Sequence, residues 1–568
     1  MKYYTIFFFT FCLIIFGSIF FSCRNASKPL EEVLVENSIK LDYQTSIGIH
    51  LFIDYALQNK GKIDDSTFLH YTNLVNDFYK KNQYKNVWCK YGKWQPIADS
   101  LLSFIENATL HGLFSKDYHF KRIVALKQKL DKDSVQNKNA VLWSKVDMLM
   151  TDASFHIINH LKYGRLLTDT IATLNSTTVK GEFLIKHLNS LIINPSFILS
   201  LSKAEPTLNG YWDLKNSIKK FVDSMDKKVY TYLVYPIKKN IQKDSILFIK
   251  NFQKRLSESN FIELTTKLPD SLELAAAIKK FQRKKGVKQD GIITAKLIRS
   301  INNNDVERFK RIAITMDRYK LLPDTMPEKY IWVNLPAYYL QLWDHDTVVF
   351  QSKIICGKPE TRTPLLQSNI TDMVTYPTWT VPSSIIEKQY LPKLKVNSNY
   401  LSKIGLKLVD NHGDFIDPVK IKWAKYKKGI PYKIVQNSGD DNALGVIKFN
   451  FKNPYAVYLH DTNQRYLFKN SFRALSHGCV RVQDWDKLAY YISQNDSLNL
   501  AVGESLQYTT DSIKRWISIK KHKWIGVRNE IPLFITYFSC EGKEGKIKFY
   551  EDIYVEDKVM REKYFMNK

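Results

Sequence analysis

The first half of the chain carries apolar residues at the spacing of helices. Between about residues 40 and 230 they recur along one helix face, as at Leu101, Ile105 and Leu110, which is the period expected of packed helices. The segment His111-Gly112-Leu113 then reads as a helix stop signal. This pattern predicts a helical domain over residues 40–230.

A shorter helical pattern follows over residues 245–302. Two helices are predicted there, over residues 246–256 and 272–284. Asp290-Gly291 is a turn signal, and Thr294 is a suitable N-cap for a third helix. The apolar face of the second helix consists of Leu274, Ala277, Ile278 and Phe281.

From Tyr330 the pattern changes to that of strands. Residues 331–336, 338–343 and 348–350 are rich in β-branched and aromatic residues, and His345-Asp346 marks a hairpin turn between the last two segments. Residues 531–538 predict a further strand near the C-terminus. The chain is therefore predicted to be a multidomain α+β protein, with helices first and strands afterwards.

The N-terminus has the pattern of an export segment. Met1-Lys2 precedes a run over residues 6–21 that is apolar apart from Thr10 and Ser18, and a small residue, Ser22, precedes Cys23. A charged start followed by an apolar core of this length is typical of a signal peptide, so we assign residues 1–23 to an export signal. Cys23 is a candidate lipidation site, and an uncleaved membrane anchor is the open alternative.

The composition of the chain limits the number of domains and the kinds of partner that can be expected. At 568 residues, with 44% hydrophobic and 13% aromatic residues, the chain is long enough for two to four folded domains. The formal net charge of +28 is spread along the whole chain, and neither zinc-finger spacing nor a phosphate-binding glycine loop accompanies it. We therefore predict no nucleic-acid partner and no metal or cofactor. The lysine excess fits an anionic surface, but a compositional bias would look the same.

The cysteines are far apart and predict no disulfide framework. Cys89 and Cys356 lie in apolar surroundings and are predicted to be buried. Cys479 differs, because it lies in Ser476-His477-Gly478-Cys479-Val480-Arg481-Val482 and follows Tyr458-Leu459-His460-Asp461-Thr462. A thiol attacks a carbonyl as thiolate and needs a base or cations beside it. These two segments therefore predict a cysteine nucleophile. The apolar residues Trp485, Leu488, Ala489 and Ile492 follow at helix spacing, so Cys479 is expected between a strand and a helix.

Together these segments resemble the active-site signature of the L,D-transpeptidases of bacterial peptidoglycan, which have a mostly β, YkuD-type catalytic domain. Residues 377–394 resemble the large, multidomain YcbB-like subgroup, and residues 78–113 resemble its helical scaffold. Residues 245–302 resemble a small three-helix peptidoglycan-binding module. The resemblance implies a scaffold over residues 40–230 and a catalytic domain over 330–505. It also implies a capping insertion at about 384–430 and a C-terminal extension over 506–568.

The resemblance also implies residue roles. Cys479 is the expected nucleophile and His460 the expected general acid and base, with Asp461 as one possible partner that orients His460. The Gly478 and Cys479 backbone N–H groups are candidate donors to the oxyanion. Arg481 is expected to hold a carboxylate or organise the loop. The remaining site residues are His477, which shapes the site, and Tyr458 and Ser476, which contact the substrate.

The implied reaction joins stem peptides by 3→3 cross-links through a cysteine thioester, with release of D-alanine from a tetrapeptide stem. Stem peptides and glycan strands are the expected partners, in the periplasm or cell envelope, with membrane association through the N-terminal segment. Three alternatives remain open. One is an enzyme that attaches proteins to the wall instead of joining stems. An L,D-carboxypeptidase would use water as the acceptor, and a wall-binding lipoprotein would use the 245–302 module without catalysis.

Overall fold

The computed structural model describes residues 28–29, 31–132, 138–167, 179–194, 196–234, 241–498, 500 and 504–566. The predicted export signal over residues 1–23, with Cys23, lies outside these ranges. Among the helices of the described ranges, none combines the length and the apolar composition that crossing a bilayer requires. The chain divides into two compact units, one within residues 1–103, 117–157 and 181–192, and one within 104–116, 158–180 and 193–568.

The first unit is mainly helical. Its helices, with their greater parts in this unit, are α1 (Ser38–Gln58), α2 (Thr72–Lys81), α3 (Pro96–Glu106), α4 (Phe120–Leu130), α5 (Ala140–Lys162) and α6 (Gly181–Ile193). Its two-residue and three-residue strands are β1 (Leu34–Val35), β2 (Lys62–Asp64), β3 (Thr67–Phe68), β4 (Cys89–Lys90), β5 (Lys93–Trp94) and β6 (Lys138–Asn139). Helix α5 supplies a buried carboxylate, Asp147, which accepts hydrogen bonds from the Tyr79 hydroxyl at 2.5 Å and the Trp88 N–H at 2.8 Å. These bonds satisfy a group that would be costly to bury alone.

The second unit contains the remaining helices and all the longer strands. Its helices are α7 (Phe197–Ser202), α8 (Asn209–Ser224), α9 (Ile241–Ser257), α10 (Ser271–Lys284), α11 (Ala295–Asn302), α12 (Asp305–Tyr319), α13 (Ser383–Ile385), α14 (Leu391–Val396), α15 (Tyr400–Lys403), α16 (Trp485–Leu498), α17 (Thr510–Ser518) and α18 (Glu556–Tyr564). Its strands are β7 (Lys329–Asn334), β8 (Tyr339–Asp344), β9 (Thr347–Gly357), β10 (Leu366–Thr375), β11 (Trp379–Thr380), β12 (Lys407–Val409), β13 (Lys433–Gln436), β14 (Ile447–Phe451), β15 (Leu459–His460), β16 (Ala474–Ser476), β17 (Val480–Val482), β18 (Lys523–Thr536), β19 (Cys540–Lys543) and β20 (Lys546–Phe549).

Single turns of tighter or wider helix connect these elements. The 3₁₀ turns are Ala108–His111, Ser115–Tyr118, Pro418–Lys420, Trp423–Lys425 and Arg465–Lys469, and Ile386–Tyr390 is a π turn. After the turn at Ala108–His111, Gly112 adopts the left-handed conformation that ends a helical segment. The predicted stop signal at residues 111–113 is confirmed.

Helices α9, α10 and α11 share a small core of their own. Phe252, Ile278 and Ile298 are buried in it, and the predicted N-cap is confirmed because the Thr294 hydroxyl accepts a hydrogen bond from the Leu297 N–H. This three-helix bundle is the segment in which the sequence predicted a peptidoglycan-binding-like module.

One nine-stranded sheet dominates the second unit. Its order is β16-β9-β17-β15-β14-β10-β18-β7-β8, and β9 also pairs with β8, so the sheet closes on itself. The predicted hairpin turn is confirmed, because His345 and Asp346 both have positive φ, at 46° and 60°, as a tight two-residue hairpin requires. The enclosed core is apolar, with Leu340, Phe449 and Leu533 fully buried.

A separate subdomain interrupts this sheet between β10 and β14. Residues 379–436, here called the cap, contain the small sheet β11-β13-β12 and the helices α13 to α15. The cap has its own core, in which Trp423, Leu394 and Ile434 are buried. The predicted architecture of a helical N-terminal region and a mostly β C-terminal domain is confirmed.

Candidate active site

Three neighbouring strands bring the candidate residues to one face of the large sheet. Lys448 on β14 pairs with His460 on β15, and His460 pairs with Arg481 on β17. Residues paired across strands project from the same face of a sheet, so these three cationic or basic side chains form a row. The opposite face enters the core through Ile447, Phe449, Leu459, Val480 and Val482.

Cys479 and Tyr458 lie immediately before β17 and β15, the strands that carry Arg481 and His460. The Val480 N–H donates to the Tyr458 carbonyl at 3.1 Å. The charges of Lys448 and Arg481 act on the Cys479 thiol, so the thiol lies near the row. Cys479 is half-buried. We expected it between a strand and a helix, but it lies in a turn between β16 and β17, and α16 begins only at Trp485.

The turn that holds Cys479 is organised by Ser476. The Ser476 hydroxyl donates to the Cys479 carbonyl at 2.6 Å and accepts the Gly478 N–H at 3.1 Å. Gly478 has φ 125°, a conformation that side chains disfavour. The sequence predicted a substrate contact for Ser476, whereas the structure buries it and engages its hydroxyl within the turn.

The hydrogen bond between the Gly478 N–H and the Ser476 hydroxyl also decides which backbone N–H is the candidate oxyanion donor. The Gly478 N–H is already engaged by Ser476, although the sequence proposed it as a donor to the oxyanion. The Cys479 N–H, the second predicted donor, has no acceptor among the described residues. The geometry therefore favours the Cys479 N–H over the Gly478 N–H for this role.

The nucleophile and its candidate base rest in their neutral forms. Burial raises the pKa of the Cys479 thiol, while hydrogen bonds from Tyr458 and the charges of Lys448 and Arg481 oppose this rise. Burial, followed by the positive charge of Arg481, lowers the pKa of His460 to about 3. At neutral pH the site thus holds a thiol and a neutral imidazole, and the imidazole can accept a proton.

Asp461 does not face His460. Its buried carboxylate accepts hydrogen bonds from the Arg465 guanidinium at 2.5 and 3.0 Å and from the Val446 N–H at 3.0 Å. A Cβ on Gly445 would come within 2.3 Å of this carboxylate, so the turn before β14 is fitted closely around it. Asp461 therefore connects the chain before β14 to the chain after β15. These contacts do not support the role of orienting His460 in a triad.

Arg481 and His477 both lie at the edge of the site, but they differ in burial and in contacts. The Arg481 guanidinium is half-buried and donates from Nη1 to the Gln464 side chain at 3.0 Å. Its side chain lies in the row beside His460, where its charge acts on both His460 and Cys479. His477 is exposed to solvent, which leaves it free to contact a bound molecule.

Sequence reasoning missed two residues of this face. Lys448 is half-buried, and its ammonium lies 4.1 Å from the centre of the Tyr458 ring. The signal was present in the alternation of Lys448 with buried Ile447 and Phe449 on one strand. Burial raises the pKa of Tyr458, and Trp379 of the cap opposes this rise, so Trp379 lies near the face that carries Cys479.

A second cluster of imidazole and carboxylate groups lies in the first unit. Ring nitrogens of His70 and His119 and a carboxylate oxygen of Asp152 all lie within 4.8 Å of one another. The Asp152 carboxylate already accepts the backbone N–H groups of His70 at 3.0 Å and Tyr71 at 2.7 Å, and contacts His119 Nε2 at 2.7 Å. These bonds hold the chain that enters α2, so we assign the cluster a structural role.

Two segments match known protein families. Residues 328–500 match the YkuD family, described as the L,D-transpeptidase catalytic domain, and residues 73–218 match a family described as a scaffold domain. The first match includes the whole row of Lys448, His460 and Arg481, together with Cys479. The cap lies within the same match.

Individual proteins also align with parts of the chain. A protein of Haemophilus influenzae, whose name assigns it provisionally to the L,D-transpeptidases, is 32% identical over 249 residues, or 44% of this chain. The chain spans about half the length of this curated relative, since the match covers 48% of it. Two solved structures align over 37% of the chain. They are the avibactam carbamoyl enzyme of Ldtfm (12% identity, 49% of its chain, TM-score 0.16) and an L,D-transpeptidase of Mycobacterium smegmatis (11%, 58%, 0.17).

Proposed function

Because residues 328–500 belong to the YkuD family of L,D-transpeptidase catalytic domains, we propose that this protein is a cysteine L,D-transpeptidase of peptidoglycan. The observation that carries the proposal is that Cys479 immediately precedes β17, whose Arg481 pairs with His460 on β15. A thiol and a neutral imidazole so arranged have the parts required for acyl transfer through a covalent intermediate. A thiol-based acyl transfer requires no cofactor.

In the first half-reaction, the Cys479 sulfur attacks the carbonyl carbon of the third residue of a tetrapeptide stem. The thiol proton passes to His460 as the S–C bond forms, because the resting pair is neutral, and the carbonyl π electrons move to oxygen. The Cys479 N–H is placed to stabilise that oxyanion. The C–N bond then breaks, the leaving amine takes the proton from His460, and D-alanine departs.

In the second half-reaction, the side-chain amine of another stem attacks the thioester. His460 accepts a proton from the attacking amine, the C–S bond breaks, and the sulfur leaves as thiolate and regains that proton. The product is a 3→3 cross-link, and the enzyme returns to its starting state. Arg481 and Lys448 place positive charge beside the thiolate in both halves, which lowers the cost of forming it.

The proposed partners are stem peptides and glycan strands in the cell envelope. We propose that residues 1–23 direct export and that Cys23 or the apolar run provides membrane association. The bundle of α9, α10 and α11 is the proposed peptidoglycan-binding-like module, within domain boundaries of 40–230, 245–302, 330–505 and 506–568. No nucleic-acid partner is proposed, since the basic residues form no reading motif.

Product analysis on disaccharide-tetrapeptide tests the reaction. We expect mass spectrometry to detect a dimer that lacks one D-alanine. Cys479→Ala should abolish this product, while Cys89→Ala, which removes a buried thiol of the first unit, should retain it. Tripeptide without dimer would replace the proposal with an L,D-carboxypeptidase. Unchanged substrate with the folded wild-type protein would favour the wall-binding alternative.

A further inference from the structure

The hydroxyl of Thr363 joins two backbone groups beside the nucleophile. It accepts the Gly357 N–H at 2.9 Å and donates to the Gly478 carbonyl at 2.8 Å. Thr363 is buried, at 2% exposure, so these bonds are made away from water, where an unmade bond is costly. Thr361 adds a neighbouring bond, from its hydroxyl to the Ser476 carbonyl at 3.1 Å. Through these hydrogen bonds, the segment 358–363 holds the turn that contains Cys479.

The bond from Thr363 sets the direction of the Cys479 N–H. The Gly478 carbonyl and the Cys479 N–H belong to one peptide group, which is planar and trans. In such a group the C=O and N–H point in opposite directions, so holding the carbonyl toward Thr363 aims the N–H the other way. This N–H is the one without an acceptor among the described residues. The hydroxyl therefore controls the candidate oxyanion donor without touching substrate.

Thr363 is in turn held by the C-terminal part of the chain. The Tyr554 hydroxyl accepts the Thr363 N–H at 3.2 Å and donates to the Gly357 carbonyl at 2.7 Å. Tyr554 is 2% exposed and lies against Tyr537, whose hydroxyl accepts the Tyr554 N–H at 2.9 Å and donates to Asp552 at 2.5 Å. These three residues lie beyond residue 500, outside the segment that matches the catalytic-domain family.

We propose that Thr363 and Tyr554 are positioning residues that aim the Cys479 N–H at the oxyanion. The C-terminal segment is then part of the active site rather than an appendage. The inference rests on the proposed function in one respect, that Cys479 undergoes acylation. It adds a chain of contacts, from Tyr554 through Thr363 to Gly478, that the catalytic residues alone do not contain.

Three variants test this chain. Thr363→Val keeps the shape and removes the hydroxyl, Thr363→Ser restores the hydroxyl, and Tyr554→Phe removes the second hydroxyl. Matched controls lie elsewhere in the second unit. Thr375→Val removes a buried hydroxyl that donates to the Lys521 carbonyl at 2.7 Å, and Tyr508→Phe removes one that donates to Asp496 at 2.6 Å.

Two reactions of Cys479 separate positioning from general damage. Acylation by 4-nitrophenyl acetate passes through an oxyanion, whereas alkylation by iodoacetamide does not. With the rate of Cys479→Ala subtracted, we expect Thr363→Val and Tyr554→Phe to slow acylation about tenfold or more and to change alkylation less than about twofold. Thr363→Ser should restore acylation, and the two controls should leave both rates unchanged.

The outcomes are distinct. Unchanged acylation in both variants, or an equal loss of acylation and alkylation, would overturn the inference. If Thr363→Val fails to fold, as judged by its melting temperature, Tyr554→Phe carries the test alone. Wild-type protein that is acylated by the ester but inactive on stem peptides would contradict the proposed function while leaving the positioning test valid.

Discussion

At the scale of single residues, Lys448 supplies the larger of the two positive charges that favour the Cys479 thiolate, ahead of Arg481. Burial raises the pKa of this thiol, and the positive charge of Lys448 is one of the effects that lower it again. Burial also lowers the pKa of Lys448, while the charge of Cys479 opposes that shift. The two groups therefore stabilise each other's charged forms.

Replacing Lys448 with methionine is expected to make the thiol harder to ionise. Since the lysine lowers the thiol pKa, its loss raises that pKa further, and less thiolate is present at every pH below it. The rate of iodoacetamide alkylation should then rise with pH as in the wild type, but over a higher pH range. Lys452→Met, at an exposed position just beyond β14, is the control. A profile that does not move would exclude Lys448 from the site.

Single residues also show which parts of the candidate site could be predicted from the sequence. That Cys479 and His460 belong to one candidate site was predictable, because the signature around them is local and chemically specific. The alternation of Lys448 with Ile447 and Phe449 is visible in the sequence, but only the pairing of β14 with β15 brings Lys448 to His460. The engagement of the Gly478 N–H by Ser476 depends on the conformation of one turn, which composition and spacing do not determine.

At the scale of elements, the cap is a separate folding core attached to the catalytic sheet. Its buried residues form a cluster distinct from that of the large sheet. Trp423 is 3% exposed, and its indole N–H donates to the Pro418 carbonyl at 2.8 Å. Trp379 of the cap acts on the pKa of Tyr458, so it lies near the catalytic face. Its integrity is therefore expected to affect substrate handling more than the nucleophile itself.

Trp423→Ala should unfold the cap without unfolding the large sheet. Removing a buried tryptophan typically costs about 3 to 5 kcal/mol, which is comparable with the stability of a small domain. We expect stem-peptide turnover to fall at least about tenfold, while alkylation of Cys479 continues. Val396→Ala, at a cap residue that is 89% exposed, should change neither. Simultaneous loss of alkylation would mean that the cap and the sheet fold as one unit.

Elements with a strong local signal were predictable, and those that depend on distant pairing were not. The helices α10 and α11 and the hairpin of β8 and β9 followed from periodicity, caps and turn residues. Strands β16 and β17 are three residues long each and exist because β9 pairs with both. Their short apolar pattern alone led us to expect a single strand that runs into a helix.

At the scale of the whole molecule, the net charge of +28 is spread along the chain but is enriched in the cap. The cap contains eleven lysines, no arginine and four acidic residues within residues 379–436. All eleven lysines are exposed, and none lies within 4 Å of a carboxylate among the described residues. Unpaired charges of one sign raise the local concentration of an oppositely charged partner. The stem peptides carry carboxylates, so the cap is the expected site of electrostatic attraction to the wall polymer.

Reversing the charge of lysines on the cap tests whether the cap attracts the wall polymer. The triple change Lys422→Glu, Lys427→Glu and Lys428→Glu should weaken binding to isolated peptidoglycan sacculi about tenfold at low salt. The matched control reverses Lys543, Lys546 and Lys548, which are equally exposed on the β19–β20 hairpin and should change binding little. Wild-type binding should weaken as salt shortens the screening length from about 10 Å at 0.1 M to about 3 Å at 1 M. An equal loss of binding in both triple variants would mean that binding to the wall depends only on the total charge of the protein. The cap would then have no special role in attraction.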